Sequence, residues 1–285
     1  MFIERVFPLN FCDIFFNMYY FIFSLIVMLA ATIGSLAGIG GGVIIRPALD
    51  AFNYYDNANI ANFLSSFCVL AVALTSVIKS IITKQKIDNY KSSIFLGIGS
   101  IIGGVVGNFL FDFVKNISNK NWLIIIQSAL LILLLIFVIF YMLFLKKKGL
   151  ILNIKSYIST SLIGVILGII SSFLGIGGGP INVAVLCFFF AMNMKQAAIN
   201  SLVVIVFSQS SKIITTIING SLFNSNMDWS MLLCLLPIAI IGSLLGSYLN
   251  KKISEKAILY VYILTIFGII IINSYNIINN ILLLN

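Results

Sequence analysis

Histidine is missing from this 285-residue chain altogether, and aspartate and glutamate together number eight. Without imidazoles or clustered carboxylates, haem ligation, zinc binding and histidine-based catalysis have no ligands or bases to use. Cysteine does not make up the deficit. Cys12, Cys68, Cys187 and Cys234 stand alone with no C-x-x-C spacing, and they read as small apolar packing residues. Charge is scarce as well, at 9% of residues where soluble domains carry roughly 25%. No G-x-x-x-x-G-K-[ST] sequence occurs, so nucleotide-driven work would need a separate subunit. The expectation is a protein that is not an enzyme and needs neither metal nor cofactor.

What fills the chain instead is apolar sequence, 61% of it, with a mean hydropathy of +1.14. Runs such as Leu123 to Leu145 and Ile258 to Ile272 carry no charge, and the first exceeds the roughly 18 residues that mark a membrane-crossing helix. In hydrocarbon the backbone must satisfy itself, which leaves helix bundles or closed barrels, and continuous rather than alternating apolar runs select helices. The fold class is therefore an all-α polytopic membrane protein. Eight spans are expected, at about 19–38, 58–83, 92–114, 121–145, 156–175, 196–219, 229–250 and 255–275. The first follows Glu4, Arg5 and Asp13 and runs into glycine-rich sequence, so it reads as a retained helix rather than a cleaved signal peptide. The net charge of +9 comes from lysines clustered between spans, at Lys84 to Lys91, Lys146 to Lys155 and Lys251 to Lys256. Such clusters are a topology signal, not a nucleic-acid surface. With both termini inside, the first two clusters are cytoplasmic while Lys251, Lys252 and Lys256 fall outside, a conflict that a crossing half-helix would remove.

Two shorter apolar pieces, about 42–52 and 179–192, cannot span and begin in glycines, as half-helices or re-entrant segments do. The glycines are repeated: Gly38-Ile39-Gly40-Gly41-Gly42 returns 137 positions later as Gly175-Ile176-Gly177-Gly178-Gly179. Ser65-Ser66 then matches Asn200-Ser201, Ile87-Asp88 matches Met227-Asp228, and Gly103-x-x-x-Gly107 matches Gly242-x-x-x-Gly246, all in order at offsets of 135 to 140. The chain thus reads as two homologous four-helix halves, 1–147 and 148–285, joined at Lys146-Lys147-Lys148-Gly149. Four spans per half make the halves parallel, and an odd number would invert them. Internal duplication is the common build of secondary transporters, with the substrate at the repeat interface.

Glycine runs let a membrane helix break and restart, and the restarted helix points free N–H groups and a positive dipole end at one place. Two such ends face to face would hold an anion, whereas close helix packing is the alternative reading of the same glycines. Arg46 follows the first run, and an arginine at membrane depth is a functional candidate. It either contacts substrate or pairs with Asp50, one helical turn on. Ser65, Ser66, Asn200 and Ser201 are positioned to donate to an anion or to cap helices. Gln209 and Lys212 belong to a polar patch, Ser208-Gln209-Ser210-Ser211-Lys212. Lys212 either holds an anion or coupling proton or snorkels to the interface, and Lys79 leans toward the surface. Asp88 and Asp228 read as N-caps and Asp112 as a partner of Lys115. The two G-x-x-x-G pairs and Pro47 and Pro180 read as packing and helix-start features. The expected site is therefore Gly40, Gly41, Gly42, Arg46, Ser65, Ser66, Gly177, Gly178, Gly179, Asn200, Ser201, Gln209 and Lys212.

The doubled G-x-G-G-G, the aspartate opening the third span of each half and the small-residue pair within it resemble the TauE/SafE family of sulfite exporters, also called TSUP. The resemblance covers both halves. It implies a transporter in the cytoplasmic (inner) membrane for small organosulfur compounds or oxyanions such as sulfite, thiosulfate, sulfonates or sulfoacetate, with the glycine runs and the polar starts of the following spans as its site. Two departures stand out. Arg46 occupies a place where family members usually have an apolar residue, and Ala184 a place where the second half often repeats the proline found here as Pro47. The leading functional reading is a secondary carrier. An anion channel is the alternative, followed by a non-transporting membrane subunit or an embedded enzyme. The expected partners are a small anion and the lipid bilayer, without nucleic acid, and assembly into a homo-oligomer stays open.

Overall fold

The computed structural model describes residues 18–52, 58–83, 90–145, 151–154, 156–218 and 229–283. Cys12, Lys84, Asp88, Asp228 and the Lys146–Gly149 linker lie outside the described residues, and so does the Ile87-Asp88 with Met227-Asp228 match. Among the described residues there are ten α-helices: α1 (Met18–Ala37), α2 (Gly42–Ala51), α3 (Ala58–Ile82), α4 (Tyr90–Ile117), α5 (Lys120–Phe140), α6 (Tyr157–Leu174), α7 (Gly179–Phe190), α8 (Met194–Ile218), α9 (Trp229–Lys252) and α10 (Glu255–Leu282). A π-turn, Tyr141–Leu145, prolongs α5. Eight of these helices are long and apolar enough to cross a membrane; α2 and α7, with 10 and 12 residues, are not.

The residues sort in the manner of a protein whose solvent is lipid. The most exposed side chains include Ile158, Leu264 and Ile271, while Ser65, Asn200 and Gln209 are fully buried. Water would reverse that order. Lipid does not penalise outward leucine, and it drives polar groups toward one another inside the bundle.

Small residues set the closest approaches. On α4, Gly103 and Gly107 lie against the carbonyls of Val165 and Ile169 on α6; on α9, Gly242 and Gly246 lie against those of Met28 and Thr32 on α1. Both G-x-x-x-G pairs therefore mark helix contacts, and a Cβ at any of the four would strike backbone. Hydroxyls and amides tie the remaining seams. Ser76 bonds Ser243 at 2.8 Å between α3 and α9, and Asn108 donates to Thr215 at 3.1 Å between α4 and α8. Helix α8 packs on α3, α4 and α7, and α10 packs on α2 and α5.

One boundary departs from expectation. The last helix runs seven residues past 275, to Leu282. Asn273 ends the apolar run and reads as a stop, but its amide donates to the Ile269 carbonyl at 2.8 Å, and Asn280 donates to Asn276 in the same way. Asparagines that turn their donors back onto their own helix do not break it.

Candidate functional site

The two glycine runs are brought against one another at the centre of the bundle. Gly41 and Gly178 are the N-caps of α2 and α7, with φ of 78° and 69°, a left-handed conformation that side chains other than asparagine rarely tolerate. The chain after Gly38 turns back along α1: the Gly40 N–H donates to the Gly34 carbonyl at 3.0 Å, and Gly41 packs on Ala30. The first residue of each short helix then meets the other run. Gly42 lies against the carbonyl oxygen of Ile176, and Gly179 against that of Ile39. Close approach of this kind needs a missing Cβ on both helices. It also puts a carbonyl oxygen beside each helix start, so the positive ends of α2 and α7 are already partly complemented.

Around this crossing the side chains divide unequally. Ser201 donates to the Gly38 carbonyl at 2.7 Å, and Ala198 packs on Gly38. Asn200 accepts from Ser93 at 2.6 Å and donates to the Gln196 carbonyl at 2.9 Å. The Asn200-Ser201 pair is thus engaged in holding α8 to α4 and to the first run. Ser65 and Ser66 are equally buried, yet neither hydroxyl finds a partner among the described residues.

The second run is bordered by polar atoms. Any Cβ on Gly175 would run into the side-chain oxygen of Asn62, with the Lys212 ammonium 3.3 Å away. Lys212 is 2% exposed and its ammonium has no hydrogen-bond partner among the described residues. That burial disagrees with the reading in which its stem snorkels to the interface. Both amide atoms of Asn62 and the hydroxyl of Ser172 are likewise unpartnered among the described residues. Gln209 donates to Ser171 at 3.4 Å through Nε2, and its Oε1 is unpartnered there too.

Arg46 is buried on α2, and its Nε donates to Asp50 Oδ2 at 2.8 Å. The pairing with Asp50 is therefore present. Lys79, by contrast, is half-buried and donates to the Leu244 carbonyl at 2.6 Å, away from the crossing. Cys68 and Cys187 are buried and in no disulfide, and the Cys187 thiol meets Met194 Sδ at 3.9 Å.

Asn62, Ser172 and Asn182 were not among the sequence candidates. A signal existed for the first, since an amide at membrane depth is as costly as the serines three residues on. Its link to Gly175 arises only when α3 crosses the second run.

Comparison with known proteins places this arrangement. Residues 23–273 match the family described as sulfite exporter TauE/SafE. The chain belongs to the TauE/SafE family. Among similar proteins, a probable membrane transporter protein, YunE of Bacillus subtilis (strain 168), is 26% identical over 251 residues, covering 82% of this chain and 89% of that protein. Another, MJ0441 of Methanocaldococcus jannaschii, is 30% identical over 233 residues, covering 79% of this chain and 84% of that protein. No solved structure matches the chain. This TauE/SafE member is accordingly a multi-pass membrane transporter and not an enzyme.

Proposed function

We propose that this transporter is a secondary carrier of a small anion, an organosulfur compound or sulfur oxyanion such as sulfite, thiosulfate or a sulfonate, in the cytoplasmic membrane. The observation that carries the proposal is the ammonium of Lys212, sealed in the bundle beside Gly175 with no hydrogen-bond partner among the described residues. A buried cation without a hydrogen-bond partner is expensive. A bound oxyanion offsets that cost directly, and the Asn62 amide, which lies against the same Gly175, supplies a donor to it. The description of the family as a sulfite exporter agrees with that chemistry. The anion sits on the Lys212 side of the second glycine run rather than midway between the two short helices, because each helix start already faces a carbonyl oxygen.

We also propose that the halves, 1–147 and 148–285, are two copies of one unit, with α2 and α7 as re-entrant segments. Exchange of the halves supports this reading. It turns the α1 contact with α9 into that of α6 with α4, and the α2 contact with α10 into that of α7 with α5. It also turns Gly42 against Ile176 into Gly179 against Ile39. Alternating access is then a rocking of one half on the other about that crossing.

The test is saturable counterflow of labelled sulfite, thiosulfate and a simple sulfonate in proteoliposomes, paired with direct binding to purified protein. Lys212→Ala is expected to weaken binding by about 30- to 100-fold while the chain still inserts in the membrane. Wild-type affinity in that variant for every anion would overturn the site, and unsaturated current in place of counterflow would make the protein a channel.

A further inference from the structure

The two short helices are packed differently. Helix α2 is tied to α10, where Asn276 donates to the Pro47 carbonyl at 3.1 Å. Helix α7 instead faces the end of α5 across a cavity of about 210 Å³, larger than the ~150 Å³ that admits a benzene ring into an apolar protein interior. Phe137, Tyr141 and Leu145 stand on one side of it, and Ile181, Ala184 and Phe189 on the other. Two local features leave the gap: Ala184 brings only a methyl group, and the Tyr141–Leu145 turn is π-helical, a winding often found at functional sites. All the surface turned toward the cavity is apolar, so water gains nothing by entering. Lipid can enter, because Phe137 on its wall is 64% exposed while Tyr141 and Ile181 are buried.

The cavity is a slot that starts at the membrane surface. Phe137 to Leu145 and Ile181 to Phe189 each cover eight residue steps, about 12 Å of helix. Leu145 is the last residue of its span. Beyond it the sequence reads Lys146-Lys147-Lys148-Gly149, and the chain then returns to the end of α7, where the Leu152 N–H donates to the Phe188 carbonyl at 3.0 Å and the Ile154 N–H to the Phe189 carbonyl at 2.7 Å. The three lysines are therefore bracketed in sequence by Leu145, which lines the slot, and Leu152, which bonds one of its neighbours. Lysines clustered directly at the end of a span attract anionic head groups.

We infer that the slot between α5 and α7 binds one acyl chain of an anionic phospholipid, whose phosphate is drawn to the lysines that follow Leu145. The acyl chain gives α7 the packing that α10 gives α2, because atoms lining an empty void have no contacts on one side. The site takes a lipid and not the transported substrate, so it stands apart from the anion site beside Lys212 and does not depend on it.

Tryptophan fluorescence of the full-length protein in proteoliposomes tests the inference. Trp122→Phe and Trp229→Phe clear the background, and one reporter is then introduced, either in the slot by Phe189→Trp or on α10 by Leu264→Trp, where Leu264 is 76% exposed. The bilayers mix phosphatidylcholine with a minor share of phosphatidylglycerol, and bromine on the acyl chains of one or the other is the quencher. At the slot, brominated phosphatidylglycerol is expected to quench at a mole fraction about tenfold lower than brominated phosphatidylcholine. At the α10 reporter the two lipids are expected to quench alike. Ala184→Leu, which fills the slot, is expected to erase the preference, and so are Lys146→Gln, Lys147→Gln and Lys148→Gln made together. The three glutamines alter no residue that lines the slot, so they carry the test where Ala184→Leu disturbs folding. Equal quenching by the two lipids at Phe189→Trp, or a preference that survives the filled slot or the three glutamines, overturns the inference.

Discussion

Around the first glycine run the polar groups are spent: the Ser201 hydroxyl holds the Gly38 carbonyl, Ala198 fills the space beside it, and Asn200 is tied to Ser93. Around the second, Asn62 takes the place of that alanine and Lys212 lies close by, while the Ser65 hydroxyl on α3 is unpartnered among the described residues. The backbone is the same in both. Each run supplies a left-handed cap and a glycine that receives the other's carbonyl. The difference separates two jobs: building the crossing takes both runs, whereas binding, in the proposed site, takes one. Duplicating the cations as well would crowd like charges in a medium that screens them weakly.

The sharpest way to break the comparison is to attack what the runs share. Gly42→Ala and Gly179→Ala each drive a Cβ into the opposing carbonyl, and both are expected to lower transport by about 100-fold or more while membrane insertion persists. Equal loss at the two positions is the expected outcome of the uptake assay. A tolerated alanine at either one would mean that the crossing is not shared. Next in size is the charge on one side only. Lys212→Ala is expected to weaken anion binding by about 30- to 100-fold, the worth of a charged hydrogen bond of roughly 2–3 kcal/mol. On α3 of the first half, Ser76 bonds Ser243 and Ser247, so Ser76→Ala is expected to change affinity by less than about threefold. Titration calorimetry on both variants reads the contrast.

How much of this was legible in the sequence depends on which residues must meet. The eight spans and both short helices are written locally, because lipid forces each apolar segment to satisfy its own backbone and glycine triplets announce where it stops. The G-x-x-x-G pairs were legible for the same reason. Lys212 was not resolved, since its closeness to the end of α8 in sequence suggests an interface, and only its burial in the folded bundle shows otherwise. Asn62 was missed because its partner is Gly175, in the other half of the chain. The tail of α10 was cut short because its three asparagines resemble a polar terminus until their donors are seen turned onto backbone. In each miss the deciding contact is long-range or depends on side-chain direction.

Asn62 offers a smaller effect that sharpens the comparison. Asn62→Ala restores at the second run the residue type that Ala198 supplies at the first. Removing one neutral donor beside Lys212 is expected to lower anion affinity by about tenfold. Fluorescence-detected thermal unfolding in detergent, with and without sulfite, is expected to show that the unliganded protein is no less stable, since neither amide atom has a partner to lose among the described residues. A variant that unfolds earlier without ligand would make Asn62 a packing residue.

The smallest expected effect separates the two runs most cleanly, because one chemical change made at Ser201 and at Ser65 should move different quantities. Ser201→Ala removes the 2.7 Å bond to the Gly38 carbonyl and leaves that oxygen buried, which costs about 1 kcal/mol of stability, with anion affinity unchanged. Ser65→Ala deletes a hydroxyl with no partner among the described residues, so stability holds, while affinity falls by about threefold as one donor to the anion is lost. Measured together, melting temperature should respond at the first position and binding at the second. If both variants lost stability alone, the second run would be as structural as the first, and the asymmetry that locates the anion beside Lys212 would disappear.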